Sequence, residues 1–347
     1  MASSLPGLAL CGAIAAASLA LGRIDALAAW GLSPLTLAIL LGIGLGNSVP
    51  AGATASCATG VGLSKQTLLR SGIVLYGLRL TFGDIGELGA VGLLLDAAMI
   101  ASTLLLAAWL GRRVLGLDST SALLIGAGAA ICGAAAVLAV ATVVRARAND
   151  VAVAVATVVA FGTVALLAYP LIHIAVAAGF AGRPGSYGIY IGSTVHEVAQ
   201  AVAAGSMFDV ATSNMAVVAK LGRVAMLAPV LLLISLWQSR KPARIAAAGG
   251  DPRPVVQTDA VVIPWFALGF LALAGVNSLG VIPAALHAVA QETGTVCLAM
   301  AMAALGLTTR LSMVRAAGRK PVILAAMLAA WLLLGGLAAN LVAVGAR

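Results

Sequence analysis

The sequence predicts an all-α membrane protein of about eleven transmembrane helices, on three observations. Apolar residues make up 62% of the 347 positions and charged residues 9%, where a soluble domain carries roughly a quarter charged. The apolar residues gather into runs, and a hydrocarbon core about 30 Å thick takes roughly 20 apolar residues per helical span. The charges fall between the runs: Arg112, Arg113, Arg145, Arg147, Arg240, Lys241, Arg244, Arg319 and Lys320. That pattern argues against one buried globular core and against a soluble enzyme.

Charge or Gly/Pro punctuation bounds each expected span in turn. Leu5–Leu21 closes on Gly22-Arg23, and Pro34–Gly46 closes on Asn47-Ser48. Thr67–Phe82 lies between Lys65 and Asp84, and Leu88–Leu110 between Glu87 and Arg112. Ser121–Val144 runs from Asp118 to Arg145, Val151–Ile172 follows Asp150, and Tyr187–Ala204 follows Pro184-Gly185. Met215–Trp237 precedes Arg240, Val261–Leu279 ends at Gly280, Thr295–Leu307 precedes Arg310, and Pro321–Val344 follows Lys320. The second and tenth are short, and short or interrupted spans point to transporter binding sites. Residues 1–347 read as a single polytopic membrane domain, with Gln238–Asp259 as a flexible linker placed in the cytoplasm by Arg240, Lys241 and Arg244.

The net charge of +9 is what the positive-inside rule asks of a membrane protein; nucleic-acid binding would need a clustered basic face. With the N-terminus inside, the acidic Asp84–Glu87 and Asp209 turns fall outside, but the Arg145/Arg147 loop breaks the rule. Cys11, Cys57, Cys132 and Cys297 form no CxxC pair, so no zinc site or disulfide framework is indicated. Leu8-Ala9-Leu10-Cys11 is similar to a lipoprotein box, but Leu10 is too large and no basic region precedes it, so the segment reads as a first span.

Internal similarity is present. Ala156–Ala168 lies over Ala216–Ala228, and Gly128–Gly133 over Gly192–Glu197. Gly77-Leu78 matches Gly306-Leu307, and Asn47-Ser48 matches Asn277-Ser278. In an eleven-span count the first two pairs lie in spans of the same sense and the last two in spans of opposite sense. One two-fold axis cannot relate all four.

Ile131, Cys132 and Gly133 sit within a Gly/Ala-rich run. Close helix packing is one reading; the other is a discontinuous helix whose half-helix ends face a ligand. Gly192-Ser193-Thr194-Val195-His196-Glu197-Val198-Ala199-Gln200 has the same glycine-led start with polar side chains. His196 and Glu197 are adjacent in a segment with no other charge, where an ionisable residue costs roughly 2.5–3.5 kcal/mol on insertion scales. An imidazole and a carboxylate there can carry protons. His196 and Gln200 share a helix face. His196-Glu197-Val198-Ala199-Gln200 also resembles the zinc motif HExxH, but Gln200 stands where the second histidine belongs. Lys220 and Arg223 share a face deep in the eighth span. They serve as helix glue, as a positive field for an anion, or as both. Asp96 is a further candidate for ion coupling, and Arg79 reads equally well as an interfacial anchor.

Leu37–Gly42, Leu68–Phe82, Gly126-Ala-Gly128 with Ile131–Leu138, Tyr190–Gln200 and Leu298–Thr309 together resemble the YeiH-type sulfate exporter family over nearly the whole chain. The resemblance implies membership of the cation/proton antiporter and anion transporter superfamily, with NhaA-type antiporters and bile acid symporters. It implies a panel domain and a core domain in which two broken helices cross at the midplane, here at Ile131–Gly133 and His196–Gln200.

The leading expectation is therefore a secondary active transporter in the bacterial inner membrane. It would export a small sulfur-containing oxyanion (sulfate, sulfite or a sulfonate) with protons, or else Na+, as coupling ion. Ile131, Cys132, Gly133, Ser193, Thr194, His196, Gln200, Lys220 and Arg223 would bind substrate; Glu197, His196 and Asp96 would couple it. No cofactor, metal or enzymatic activity is expected, and a homodimer is a compatible assembly. The alternatives are a cation/proton antiporter using Glu197 and Asp96, a non-transporting receptor and an intramembrane enzyme.

Overall fold

The computed structural model describes residues 4–24, 27, 32–50, 56–180, 185–239 and 265–345. Of the Gln238–Asp259 linker, residues 240–259 lie outside the described residues. Regular structure is helical throughout, with no strand among the described residues. Five helical stretches are long and apolar enough to cross a membrane: Gly89–Val114, Ala148–Phe180, Val210–Trp237, Ala284–Thr308 and Arg319–Ala343. Shorter apolar helices accompany them.

Two helix groups make up the molecule. The first contains α1 (Leu5–Leu21) and α2 (Pro34–Ser48). It continues with α3 (Ala58–Leu63), which passes through a π turn at Ser64–Leu68 into α4 (Leu69–Tyr76). After the short α5 (Phe82–Gly86) comes α6 (Gly89–Trp109), the first helix of the second group. That group goes on through α7 (Ser119–Ala130), α8 (Ala134–Val144), α9 (Ala148–Phe180), α10 (Ser186–Thr194), α11 (Val198–Gly205), α12 (Val210–Ala225) and α13 (Leu227–Ser239). The chain then returns to the first group with α14 (Trp265–Ser278) and α15 (Ala284–Thr308). After α16 (Leu311–Ala316) it closes the second with α17 (Arg319–Ala330) and α18 (Gly336–Gly345). In the first group α15 packs on α1, α2 and α4, and α14 packs on α4. In the second, α7 packs on α6, α9 and α17, while α10 and α11 both pack on α12.

Glycine permits the closest approaches. A Cβ on Gly42 would meet the α15 backbone at Ala303, and one on Gly306 would meet the α2 backbone at Ile39. Packing through small residues is how apolar helices associate where no hydrophobic force separates protein from lipid.

Both segments expected to be discontinuous are interrupted. α7 stops at Ala130 and α8 starts at Ala134, across Gly133 with φ 68°; only glycine takes that conformation without strain. α10 stops at Thr194 and α11 starts at Val198, with Val195 and Glu197 extended. This second break contains no glycine, and Gly192 lies inside α10 with its α-carbon against the α12 backbone at Ala216.

The halves do not run on as broken crossing spans, as the resemblance implied. They fold back. Tyr187, at the start of α10, and Phe208, beyond α11, meet edge to face with centroids 5.1 Å apart, and both rings meet His173 of α9. Gly188 and Gly205 both abut the backbone of Thr212. In the first segment, Gly128 abuts Val137 across the break. Beside it Asp118, which caps α7 through the amides of Thr120 and Ser121, lies within the field of Arg147. Burial pushes the Asp118 carboxyl up, but those hydrogen bonds and the Arg147 charge outweigh it and leave the group below its ordinary value. Halves of 12, 11, 9 and 8 residues reach about 12–18 Å at 1.5 Å per residue, so neither folded-back pair crosses a hydrocarbon core about 30 Å thick. Each pair is a re-entrant hairpin.

Other boundaries differ as well: the third expected span begins at Ala58, nine residues before Thr67, and the sixth runs on to Phe180, eight beyond Ile172. The tenth expected span is not short: α15 begins eleven residues before Thr295, at Ala284, and carries Gln291 and Glu292 within a continuous helix of 25 residues.

Candidate functional site

α9 begins at the base of the first hairpin and ends at the base of the second, with Phe180 against Tyr187. Its 33 residues span about 50 Å. The hairpins therefore enter from opposite ends of the molecule and meet tip to tip.

At the tips, α7 and α10 leave their last carbonyls without intrahelical partners. Lys220 and Arg223, on one face of α12, supply the donors. Lys220 Nζ donates to the carbonyls of Ile131 and Val195, each at 2.6 Å. Arg223 donates to the carbonyls of Ser193, Ala130 and Ala129. Both cations are fully buried and sit at the negative ends of two helix dipoles. In this geometry the cationic pair ties both tips to α12.

The positive ends of the dipoles belong to α8 and α11, and Glu197 serves both. Its Oε1 accepts from the Ala134 amide at 3.4 Å, and its carboxylate closes a capping box at the start of α11. A Cβ on Gly133 would lie 2.7 Å from that oxygen, so the approach exists because residue 133 is glycine. Gln200 Oε1 accepts from the Glu197 amide at 3.2 Å. The amide standing where HExxH has its second histidine is thus a backbone cap. Among the described residues no three His, Cys, Asp or Glu side chains cluster as a metal site would need.

The remaining candidates surround this centre. Thr194 shares a 2.9 Å hydrogen bond with the Tyr169 hydroxyl, and Ser193 accepts from Asn340 at 3.1 Å. His196 is 1% exposed, and its Nδ1 has no partner among the described residues; the same holds for Gln200 Nε2 and both oxygens of Asp96. Asp96 lies beside Gly222 of α12, within the turn that carries Lys220 and Arg223. Arg79, by contrast, donates to Thr295 at 2.7 Å and lies over the Tyr76 ring.

A cavity of about 510 Å³ leads to the tips from between the two helix groups. Its floor is Cys132, Ala134, Glu197 and Val198, and its wall carries Lys65, Gln66 and Arg70. Lys65 also reaches the Thr308 hydroxyl at 3.4 Å. Sequence reasoning missed these three wall residues. Lys65 and Gln66 lie in the π turn, a feature found mostly at functional sites, but nothing in the residues announces it.

The model of a family described as conserved hypothetical protein 698 matches residues 6–325. A UPF0324 membrane protein of Pseudomonas aeruginosa is 53% identical over 334 residues, covering 96% of this chain and 92% of that one. The UPF0324 inner membrane protein YeiH of Escherichia coli (strain K12) is 48% identical over 338 residues, covering 97% and 94%. A UPF0324 membrane protein of Yersinia pestis is 47% identical over 344 residues, covering 98% and 93%. No solved structure matches the chain.

Proposed function

The chain belongs to the UPF0324 family of multi-pass bacterial inner membrane proteins, and from that premise we propose that it is a secondary transporter of a small anion, not an enzyme. The observation that carries this reading is the 510 Å³ cavity, which ends at two helix N-termini instead of passing through. Lys65 and Arg70 would draw an anion in, and the first-turn amides of α8 and α11 would hold it. The Glu197 carboxylate now faces those amides. Protonated, it would release them to a substrate anion, which makes it the coupling group. His196 would relay the proton.

Sulfate, sulfite or a sulfonate as substrate, and export as direction, rest on the family likeness set out above. The panel and core of that likeness correspond to the first and second helix groups, with hairpins in place of crossing breaks. Cation/proton antiport is the second reading, and the buried, unbonded carboxylate of Asp96 favours it. The cavity, however, reaches Glu197 and not Asp96.

Flux of labelled sulfate, sulfite and taurine into proteoliposomes under an imposed pH gradient tests the proposal. One of the three should accumulate against its gradient. Proton-linked Na+ flux with no anion movement would transfer the function to the antiport reading.

A further inference from the structure

The sequence matches that no single two-fold axis could relate become consistent once both interrupted segments are hairpins. A re-entrant hairpin returns the chain to the side it left, so it removes one crossing from the count. α9 and α12–α13 then run in opposite senses, as do α2 and α14.

The structure carries the relation into its hydrogen bonds. Asn47 Nδ2 donates to the Thr309 carbonyl and Asn277 Nδ2 to the Leu80 carbonyl, each at 2.9 Å. Leu80 N bonds to Gly77 O as Thr309 N bonds to Gly306 O. Just beyond, the amides that open α5 and α16 bond back to Ser278 and Asn47. In the hairpins, Ile131 N bonds to Ala127 O as Val195 N bonds to Ile191 O, and Val137 N to Gly133 O as Ala201 N to Glu197 O. The two carbonyls held by Lys220 are equivalent under this relation, as are Ala129 and Ser193, held by Arg223. The axis passes between the tips, beside α12.

One repeat is α2, α3–α4, α6, the first hairpin and α9. The other is α14, α15, α17–α18, the second hairpin and α12–α13, in permuted order because its last two parts come first in the chain. This arrangement also puts Arg145 and Arg147 on the same side as Arg112 and Arg113, so the exception to the positive-inside rule disappears.

The axis relates the repeats, but the packing around them is unequal. α11 packs against α2, α4 and α15; its mate α8 faces the cavity instead. Leu138 on α8 is 49% exposed, while the equivalent Val202 on α11 is 2% exposed. We propose that the closed mate of the cavity is a second solute-access vestibule, at the opposite end of the molecule, where α11 and α12 now seal against α2, α4 and α15. Carrying the cavity lining across the axis assigns its walls: His196 for Cys132, Met215 for Val155, Tyr76 for Leu305 and Met302 for Ile73. All four mates are buried. The polar groups buried there, including Tyr76 bonded to Ser213 at 2.8 Å, and Thr212, become the lining of a water-filled entrance when the seal opens. An anion reaching the hairpin tips from that side meets His196 where the present cavity offers Cys132.

This inference rests on the transporter reading, and thiol labelling separates the two because it reads access without any substrate. Cells or inverted vesicles carrying Met215→Cys or Leu138→Cys are treated with a membrane-impermeant maleimide, and modification is read by peptide-resolved mass spectrometry. Met215→Cys is expected to react from the periplasmic face and Leu138→Cys from the cytoplasmic face. Ser33 of α2 bonds to the Ala203 carbonyl of α11 at 3.3 Å across the seal. A short cross-linker between Ser33→Cys and Ala203→Cys should therefore abolish Met215→Cys labelling, reversibly, and leave Leu138→Cys labelling intact. Met215→Cys that stays unlabelled from outside in folded protein, or that labels only from the cytoplasm, overturns the vestibule. Gated labelling without anion flux would keep the vestibule and refute the substrate reading.

Discussion

Arg223 and Glu197 show what a buried charge is for when the backbone around it is broken. Arg223 gives its hydrogens to carbonyls of both hairpins, so removing it strands acceptors in a site water does not reach. Each buried acceptor left alone costs about 1–3 kcal/mol. Arg223→Ala should therefore lower the melting temperature in detergent by about 5–10 °C, with Arg223→Lys in between. A variant that melts like the parent but no longer binds anion would give the cation to the substrate. Glu197 bears on coupling instead. Glu197→Gln keeps the shape and the acceptor oxygen but cannot titrate, so anion binding should persist while its pH dependence flattens, by reciprocal linkage. An unchanged pH profile in Glu197→Gln, measured by anion binding from pH 5 to 8, would make Asp96 the next coupling candidate. The sequence exposed these residues because a charge inside an apolar run is visible by eye. It hid Lys65, Gln66 and Arg70, since basic residues near a span end look like interfacial anchors and a π turn has no sequence signature.

Hairpins and broken crossing spans are indistinguishable as strings of apolar residues, and that is why the breaks were legible while their consequence was not. The run from Ser121 to Val144 has the length of one span, and its glycine places the interruption correctly. Whether the second half continues or returns depends on what it packs against. Here Gly128 takes Val137, and Tyr187 takes Phe208. The puzzling basic loop at Arg145 and Arg147 was the one available clue, because a hairpin moves it to the side where basic residues belong. Arg113→Cys and Asn149→Cys, both at exposed positions, should label from the same face of the membrane, and Ser206→Cys from the other. Arg113→Cys and Asn149→Cys on opposite faces would restore a crossing span. The missed start of α15 has a different cause: Gln291 and Glu292 interrupt the apolar run before Thr295, but in the structure Gln291 contacts His287 on its own helix and Arg79 meets its carbonyl.

At the scale of the whole molecule, the chain crosses between its two helix groups more often than a two-domain protein would. α14 and α15 return to α4, α2 and α1, and α17 then joins α7 and α9. The piece after residue 264 therefore supplies walls to both groups, and each group is incomplete without it. The connection before it joins the two permuted halves of the second repeat, from α13 to α14. The contacts of α14 and α15 with α4, α2 and α1 are made by residues beyond it. Closing a connection of this length costs only a few kcal/mol of chain entropy, and that cost grows slowly with length. The packing of α15 against α2 and of α17 against α7 carries the association instead. A chain divided between Gly249 and Gly250, with both pieces expressed together, should consequently assemble. Tagging the first piece should recover the second in equal amount after detergent extraction, with a melting temperature within about 5 °C of the intact chain. Expressed alone, the first piece should lose the cavity wall made by Ala301 and Leu305 and be degraded or aggregate. If the pieces fail to co-purify, while the first alone stays monodisperse and melts like the intact chain, the two-group packing described here is wrong. The same divided protein serves the transport assay, since a cut between the two permuted halves of the second repeat leaves every helix of both repeats whole.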